Sequence, residues 1–402
     1  RLEGLVSIER VAAAHLRAKM GCAHSDTSAA HKPPQQRRRL SVGAVDDATA
    51  SPEQDVMEQD RGLIASLSAA TVIEMLEGEG AAGGGRRRFS VGSETDQVKT
   101  SFVNKSIAHI GDDFNAGNAG MGYTCRKGLK PESPNQDSWT VLQVDGDFSI
   151  YGVFDGHGKQ GHDVSNFVKD NLPKLIIKDK RFKSSDMPAS LSECFRTVQS
   201  LVATADRMKK LSAQMSGTTA TVVVHDHSSN KLTVAHVADS TCVLGSWSDS
   251  ASKGAQSGVA LTRDHKPNLK DERARIEKAG GRVVFDGYAN YRVYAKNARY
   301  PGLNMSRCLG DLMGHADAGC SCEPEVSEHQ LGQRDNVLLV CSDGVWEFIT
   351  PQEAVDMVGA LSPAKAMNTA ENLAKEAWDR WIREEGGAVV DDVTVVLIYL
   401  SP

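Results

Sequence analysis

Three hydrophobic stretches of this 402-residue chain end in an aspartate followed by a small residue: Val153-Phe154-Asp155-Gly156, Val237-Ala238-Asp239-Ser240 and Val340-Cys341-Ser342-Asp343-Gly344. A further acidic pair, Asp391-Asp392, stands immediately before the β-branched run Val393 to Leu400. Any one of these aspartates alone is most simply a turn residue, because its side chain hydrogen-bonds its own backbone and a following glycine supplies positive φ. All four on strand ends can instead converge at one sheet edge. There they would repel one another and hold each other protonated unless positive charge sat among them. An all-oxygen donor set selects a hard cation such as magnesium or manganese. Two such cations sharing a water would lower its pKa and orient it for in-line attack on a phosphoryl group, with no phosphoenzyme. His157, exposed between Gly156 and Gly158, suits protonation of a leaving alkoxide near neutral pH. Elsewhere in a chain, a lone histidine is more simply a structural hydrogen-bonding group.

Carboxylates in this pattern need strands to carry them. Strand candidates are 148–154, 218–224, 232–238, 337–341 and 393–400, all rich in β-branched residues. Only His225 to Lys231 separate the second from the third, too few for a parallel crossover, so those two are expected to form an antiparallel hairpin. Helices are predicted near 161–176, 188–214, 268–279, 351–360 and 363–385. In the last, Ser362 is a capping residue, Pro363 suits the first turn, Leu373, Ala374, Ala377 and Trp381 mark one face, and Gly386 ends it. Antiparallel sheets flanked by helices, an α+β class, is the architecture these elements predict.

Composition narrows the function classes. Apolar residues make up 40% and charged residues 24% of the chain, ordinary for a globular protein with a sizeable core. A net charge of -6 argues against a nucleic-acid partner, which needs a concentrated positive field. The eight cysteines contain no CxxC pair, which fits reduced thiols in the cytoplasm and not a structural zinc site. No apolar run is long enough to span a bilayer, so any membrane contact must come from an anchor. Met20-Gly21-Cys22-Ala23-His24-Ser25 matches the myristoylation pattern at Gly21, with Cys22 able to take a palmitoyl chain as the second signal. Residues 1 to 19, if retained ahead of Met20, would block it. Arg37-Arg38-Arg39-Leu40-Ser41-Val42-Gly43 returns as Arg86-Arg87-Arg88-Phe89-Ser90-Val91-Gly92, and both copies look like basophilic-kinase sites, at Ser41 and Ser90. A short amphipathic helix is expected within 61–77. Residues 1–100 are thus expected to be a largely disordered tail with a lipidation site, and 101–402 a monomeric catalytic domain, cytoplasmic and anchored on the cytoplasmic face of a membrane.

Ten motifs now stand in order: Arg126-Lys127-Gly128, Asn135-Gln136-Asp137, FDGHG at 154–158, SGTTA at 216–220, ADS at 238–240, Asp264-His265-Lys266-Pro267, Ala279-Gly280-Gly281, SRCLGD at 306–311, SDGVWE at 342–347 and DDVT at 391–394. On these residues the chain, over roughly 104–400, resembles the metal-dependent type 2C protein phosphatases, the PPM family. The resemblance implies a central sandwich of two antiparallel β-sheets flanked by pairs of α-helices, and hydrolysis of phosphoserine and phosphothreonine in protein substrates. It implies a centre of two Mg2+ or Mn2+ ions with a weaker third. Asp155 would bridge both metals, the carbonyl of Gly156 would hold one, Asp343 and Asp391 the other, and Asp239 the third, while Asp137 lines the same cleft. His157 would be the general acid and Arg126 the clamp on the substrate phosphate. Residues 282–302, with four tyrosines, fall where the family carries a variable flap. Gln136, Ala238, Thr241 and Asp392 depart from frequent family residues without removing a principal aspartate. The alternatives are a catalytically silent relative acting as a scaffold, which would be expected to lose those aspartates, and an aspartyl-phosphate phosphotransferase.

Overall fold

The computed structural model describes residues 52–400 apart from 79–85, 114, 117–118, 132, 248–255 and 360. Gly21, Cys22 and Ser41 lie outside the described residues. Two sheets form the centre. One has seven strands, in the order Glu325–Gln330, Lys231–Val237, Ala220–Asp226, Phe148–Phe154, Ser138–Val144, Arg88–Ser93 and Ile107–Gly111. The other has five: Gln256–Ala260, Thr241–Trp247, Asp335–Cys341, Val393–Tyr399 and Met121–Arg126. Their pairings are antiparallel throughout, including the expected hairpin of Ala220–Asp226 with Lys231–Val237.

Side chains alternate across each strand, and this sorts the core into layers. Tyr151 and Val153 join Trp139, Val234, Leu338, Val340 and Val396 between the sheets. Phe148, Ile150 and Phe154 face the other way, into helices Gly161–Lys178 and Met187–Arg207. The first of these helices turns Val164, Val168, Leu172 and Ile176 inward at a spacing of four, all fully buried. On the far side, helices Pro351–Val358 and Ala366–Glu384 cover Val337, Leu339, Val395 and Leu397. Because both of its faces are covered, every residue of Val393–Tyr399 is buried. The α+β sandwich expected from sequence is therefore the observed architecture. Among the described residues no helix is long and apolar enough to cross a membrane.

Two boundaries differ from expectation for local reasons. The helix predicted over 188–214 stops at Arg207: Lys209 takes a left-handed φ of 57°, and the Asp206 carboxylate receives the Ala213 N–H at 2.8 Å, turning the chain back. The helix predicted over 363–385 opens as a 3-10 turn, Pro363–Lys365, before Ala366–Glu384 begins.

The larger difference is where the folded unit starts. It spans Ser51–Pro402, not 101–402. Helices Pro52–Ser68 and Val72–Gly78 replace the single predicted helix. A reciprocal pair restarts the second, with the Thr71 N–H donating to Glu74 Oε2 at 2.6 Å and the Glu74 N–H to Thr71 Oγ1 at 3.2 Å. Ile64, Leu67, Val72 and Ile73 are buried, and Asp60 receives the hydroxyls of Ser200 at 2.6 Å and Thr204 at 2.9 Å. The second copy of the arginine-rich repeat is an inner strand, Arg88–Ser93, held between Ser138–Val144 and Ile107–Gly111. Phe89 and Val91 enter the core between the sheets. Gly92 lies so close to its neighbour that an added Cβ would meet the Trp139 carbonyl at 2.8 Å.

Candidate metal centre

The site is assembled from strand ends. Asp137 immediately precedes Ser138–Val144 and Asp155 immediately follows Phe148–Phe154. Ser138 is the register partner of Phe154, so the two aspartates flank one point of the seven-stranded sheet. The backbone of Asp155 is pinned: its N–H donates to Thr219 Oγ1 at 2.9 Å, and its carbonyl accepts from the Thr219 N–H at 2.8 Å and Thr218 Oγ1 at 3.1 Å. Asp343 opens a one-turn helix, Asp343–Trp346, just beyond Asp335–Cys341. The adjoining strand of the five-stranded sheet, Val393–Tyr399, is preceded by Asp391 and Asp392. A reciprocal pair of bonds joins these segments, the Ser342 N–H to the Thr394 carbonyl at 3.2 Å and the Thr394 N–H to Ser342 Oγ at 3.0 Å. The hydroxyl of Thr394 then reaches across the sandwich to Asp137 Oδ2 at 2.6 Å. Gly156 must be glycine, since a Cβ there would stand 2.5 Å from the carbonyl oxygens of both Gln136 and Gly161.

Charge is concentrated at this meeting point. Burial, then the charges of Asp137, Asp343 and Asp391, push Asp155 well above the carboxylate range. Burial and then the charge of Asp391 do the same to Asp343. Burial, reinforced by Asp392, takes Asp137 from the ordinary 3.8 to about 7. One oxygen each of Asp137 and Asp343, Oδ1, is buried without a hydrogen-bond partner. A buried, unpartnered carboxylate oxygen is costly unless something positive completes it. Oxygen donors, mutual repulsion and orphaned lone pairs together fit a hard divalent cation. Two lysines lie on the cluster: Lys130 Nζ contacts Asp391 Oδ1, and Lys266 Nζ is 2.5 Å from Asp239 Oδ2.

Asp155 thus has Asp137, Asp343 and Asp391 as charge neighbours, and Asp343 has Asp391 and Asp239. Ala238, which stands where relatives of the family often have glycine, takes a left-handed φ of 74°, and its N–H is held by His265 Nδ1 at 3.0 Å. Asp392 is structural: it receives the N–H of Gly128 at 2.6 Å and of Gln136 at 2.7 Å, fastening two loops. Arg126, expected at the substrate phosphate, is paired within the fold. Its guanidinium is bound by Glu371 and donates to the Phe102 carbonyl at 2.9 Å, stacked over the Phe102 ring, and not by the carboxylate cluster.

His157 has a partner that sequence reasoning passed over. Its Nε2 lies 2.5 Å from Asp311 Oδ2, while Nδ1 is buried without a partner. Burial by itself would lower the imidazole pKa; the Asp311 carboxylate, by charge and hydrogen bond, outweighs it and raises the value. Gly217 makes room for this dyad, for a Cβ there would stand 2.2 Å from Asp311 Oδ2 and 2.8 Å from His157 Nε2. Asp311 closes the SRCLGD motif and Gly217 lies in SGTTA, so the signal was present in the sequence, but its meaning was a contact between two distant segments.

Comparison with known proteins agrees with this geometry. The family model described as "Protein phosphatase 2C" matches residues 129–385. "Probable protein phosphatase 2C 72" of Arabidopsis thaliana is 31% identical over 278 residues, covering 66% of this chain and 82% of that protein. "Probable protein phosphatase 2C 64" of Oryza sativa subsp. japonica is 35% identical over 283 residues, covering 69% of this chain and 64% of its own length. Among solved structures, the serine-threonine phosphatase 2C from Toxoplasma gondii superposes with a TM-score of 0.60 at 18% identity, over 70% of this chain and 94% of that one, a likeness of fold. The chain therefore belongs to the protein phosphatase 2C family and is a metal-dependent protein serine/threonine phosphatase.

Proposed function

We propose that Asp137, Asp155, Asp343 and Asp391, with the Gly156 carbonyl, hold two divalent cations, Mg2+ or Mn2+, that Asp239 holds a weaker third, and that phosphoserine and phosphothreonine of protein substrates are hydrolysed there. The observation that carries this is the pair of buried, unpartnered carboxylate oxygens of Asp137 and Asp343 inside a cluster of mutually repelling aspartates. When bound, the cations supply an acidified attacking water and positive charge for the phosphoryl oxygens. The protein's own groups do the rest. His157, oriented by the hydrogen bond between its Nε2 and Asp311, serves as the general acid toward the departing serine or threonine oxygen. The small sheet of Arg282–Phe285, Tyr291–Tyr294 and Pro301–Leu303 shares one hydrophobic cluster, through Val283 and Val293, with Ala238, the residue before Asp239. It exposes Phe285, Tyr288 and Tyr291, an apolar face suited to gripping the substrate protein.

The test is a manganese titration of phosphopeptide hydrolysis, read together with the melting temperature at pH 5.5 and pH 8. Asp137 titrates near 7 folded against 3.8 unfolded, so the metal-free fold binds more protons than the unfolded chain between those values, and it loses stability as pH rises through that window. Cations that displace those protons should therefore raise the melting temperature more at pH 8 than at pH 5.5. Hydrolysis surviving thorough chelation, or a thermal shift indifferent to pH, contradicts the reading.

For the segment ahead of the folded unit, Met20-Gly21-Cys22 motivates acylation at Gly21 and Cys22 and anchoring on the cytoplasmic face of a membrane. In a chain initiated at Met20, Gly21→Ala is expected to move the protein into the soluble fraction; unaltered partitioning removes the idea. Of the two kinase motifs, Ser41 is the favoured substrate. Ser90 sits in an inner strand, and Arg86 and Arg87 are engaged by Asp147 and Asp145, so a kinase reaches it only when that strand opens.

A further inference from the structure

We infer that Lys130, and not Arg126, is the side chain that receives the substrate phosphate; this rests on the metal reading above. The run Arg126-Lys127-Gly128-Leu129-Lys130 offers three cations, and the fold uses two of them. Arg126 is bound by Glu371 and Phe102. Lys127 is buried, its ammonium donating to the carbonyls of Gly128 at 3.1 Å and Lys130 at 2.9 Å, and standing 3.7 Å from Asp392. Lys130 differs from both, because 31% of its side chain is exposed and its ammonium lies on Asp391.

The backbone fixes that placement. The Leu129 N–H donates to the Val390 carbonyl at 2.8 Å and the Gly128 N–H to Asp392 Oδ1 at 2.6 Å. Gly128 lies so close that an added Cβ would meet the Asp391 carbonyl carbon at 2.4 Å. The loop is thus locked against Asp391-Asp392, with Asp155 a further charge neighbour of the Lys130 ammonium. Once Asp391 serves a divalent cation, Lys130 loses its carboxylate partner while remaining beside the cluster. A phosphate monoester dianion is the anion that restores its pairing, and an ammonium with three donors on a flexible stem binds phosphate as a point charge. Four residues, Pro131 to Pro134, separate Lys130 from Asn135 in the acidic motif.

The experiment uses the full chain loaded with manganese and measures phosphopeptide kinetics alongside calorimetric binding of inorganic phosphate and of manganese. Lys130→Ala is expected to raise KM and weaken phosphate binding by ~10- to 100-fold, the scale of one hydrogen bond to a charged group, with a smaller change in kcat and manganese affinity unchanged or tighter. Lys130→Arg should recover most of the phosphate affinity, and Arg126→Ala should bind phosphate as wild type does. Wild-type phosphate affinity in Lys130→Ala, its loss in Arg126→Ala, or a Lys130→Ala protein that fails to hold manganese each overturns the assignment. A wild-type protein whose phosphate binding ignores manganese instead overturns the metal reading beneath it.

Discussion

Asp155→Asn is expected to lower kcat for a phosphopeptide by about 10³-fold or more at saturating manganese, the scale of losing a charge that anchors a catalytic metal. The size follows from position. Asp155 is the carboxylate whose neighbours include Asp137, Asp343 and Asp391 together, so its charge is the one the others share. The fold should survive, because the bonds that pin this residue to Thr218 and Thr219 run through its backbone and asparagine keeps the side-chain shape. Removing one of several mutually repelling carboxylates should even leave the metal-free variant as stable as wild type or more so at neutral pH. A variant within tenfold of wild-type activity, with an unchanged melting temperature, would falsify catalysis at this cluster.

The second large effect concerns the start of the folded unit. A chain shortened to residues 51–402 is expected to melt within a few degrees of the full-length protein, whereas 101–402 should be insoluble or lack a cooperative transition. The shorter fragment loses Phe89 and Val91 from between the sheets and Ile64, Leu67 and Ile73 from beneath the helices. Each such side chain contributes roughly 1.5–3 kcal/mol when buried, against a total stability of about 5–15 kcal/mol for a typical domain. Ser138–Val144 would also lose its pairing with Arg88–Ser93 and become an open, apolar edge. Differential scanning calorimetry of the two fragments decides it: matching melting temperatures would show that the first two helices and the inner strand are dispensable.

The parts of the molecule legible in sequence were those whose burial leaves a continuous pattern. Phe148–Phe154 and Val393–Tyr399 are buried along their whole length, and so read as strands from their apolar runs. Aspartates at strand ends were visible for the same reason. Arg88–Ser93 escaped because only alternate residues face the core, and the rest of its sequence is arginine, serine and glycine, which imitates a solvated basic tail. Asp311 escaped as a functional residue because its meaning depends on His157, a contact across 154 positions that no periodicity encodes. Arg126 was assigned by motif order, and order cannot register that Glu371, far along the chain, claims its charge.

The clustered aspartates are divided between the two leaves of the sandwich: Asp137 and Asp155 adjoin strands of one sheet, Asp343 and Asp391 strands of the other. A cation held at their junction, as proposed above, would rivet the two leaves together. On that reading, sliding one leaf against the other would spread the carboxylates, so activity is expected to depend on the alignment of the two sheets as well as on the aspartates themselves.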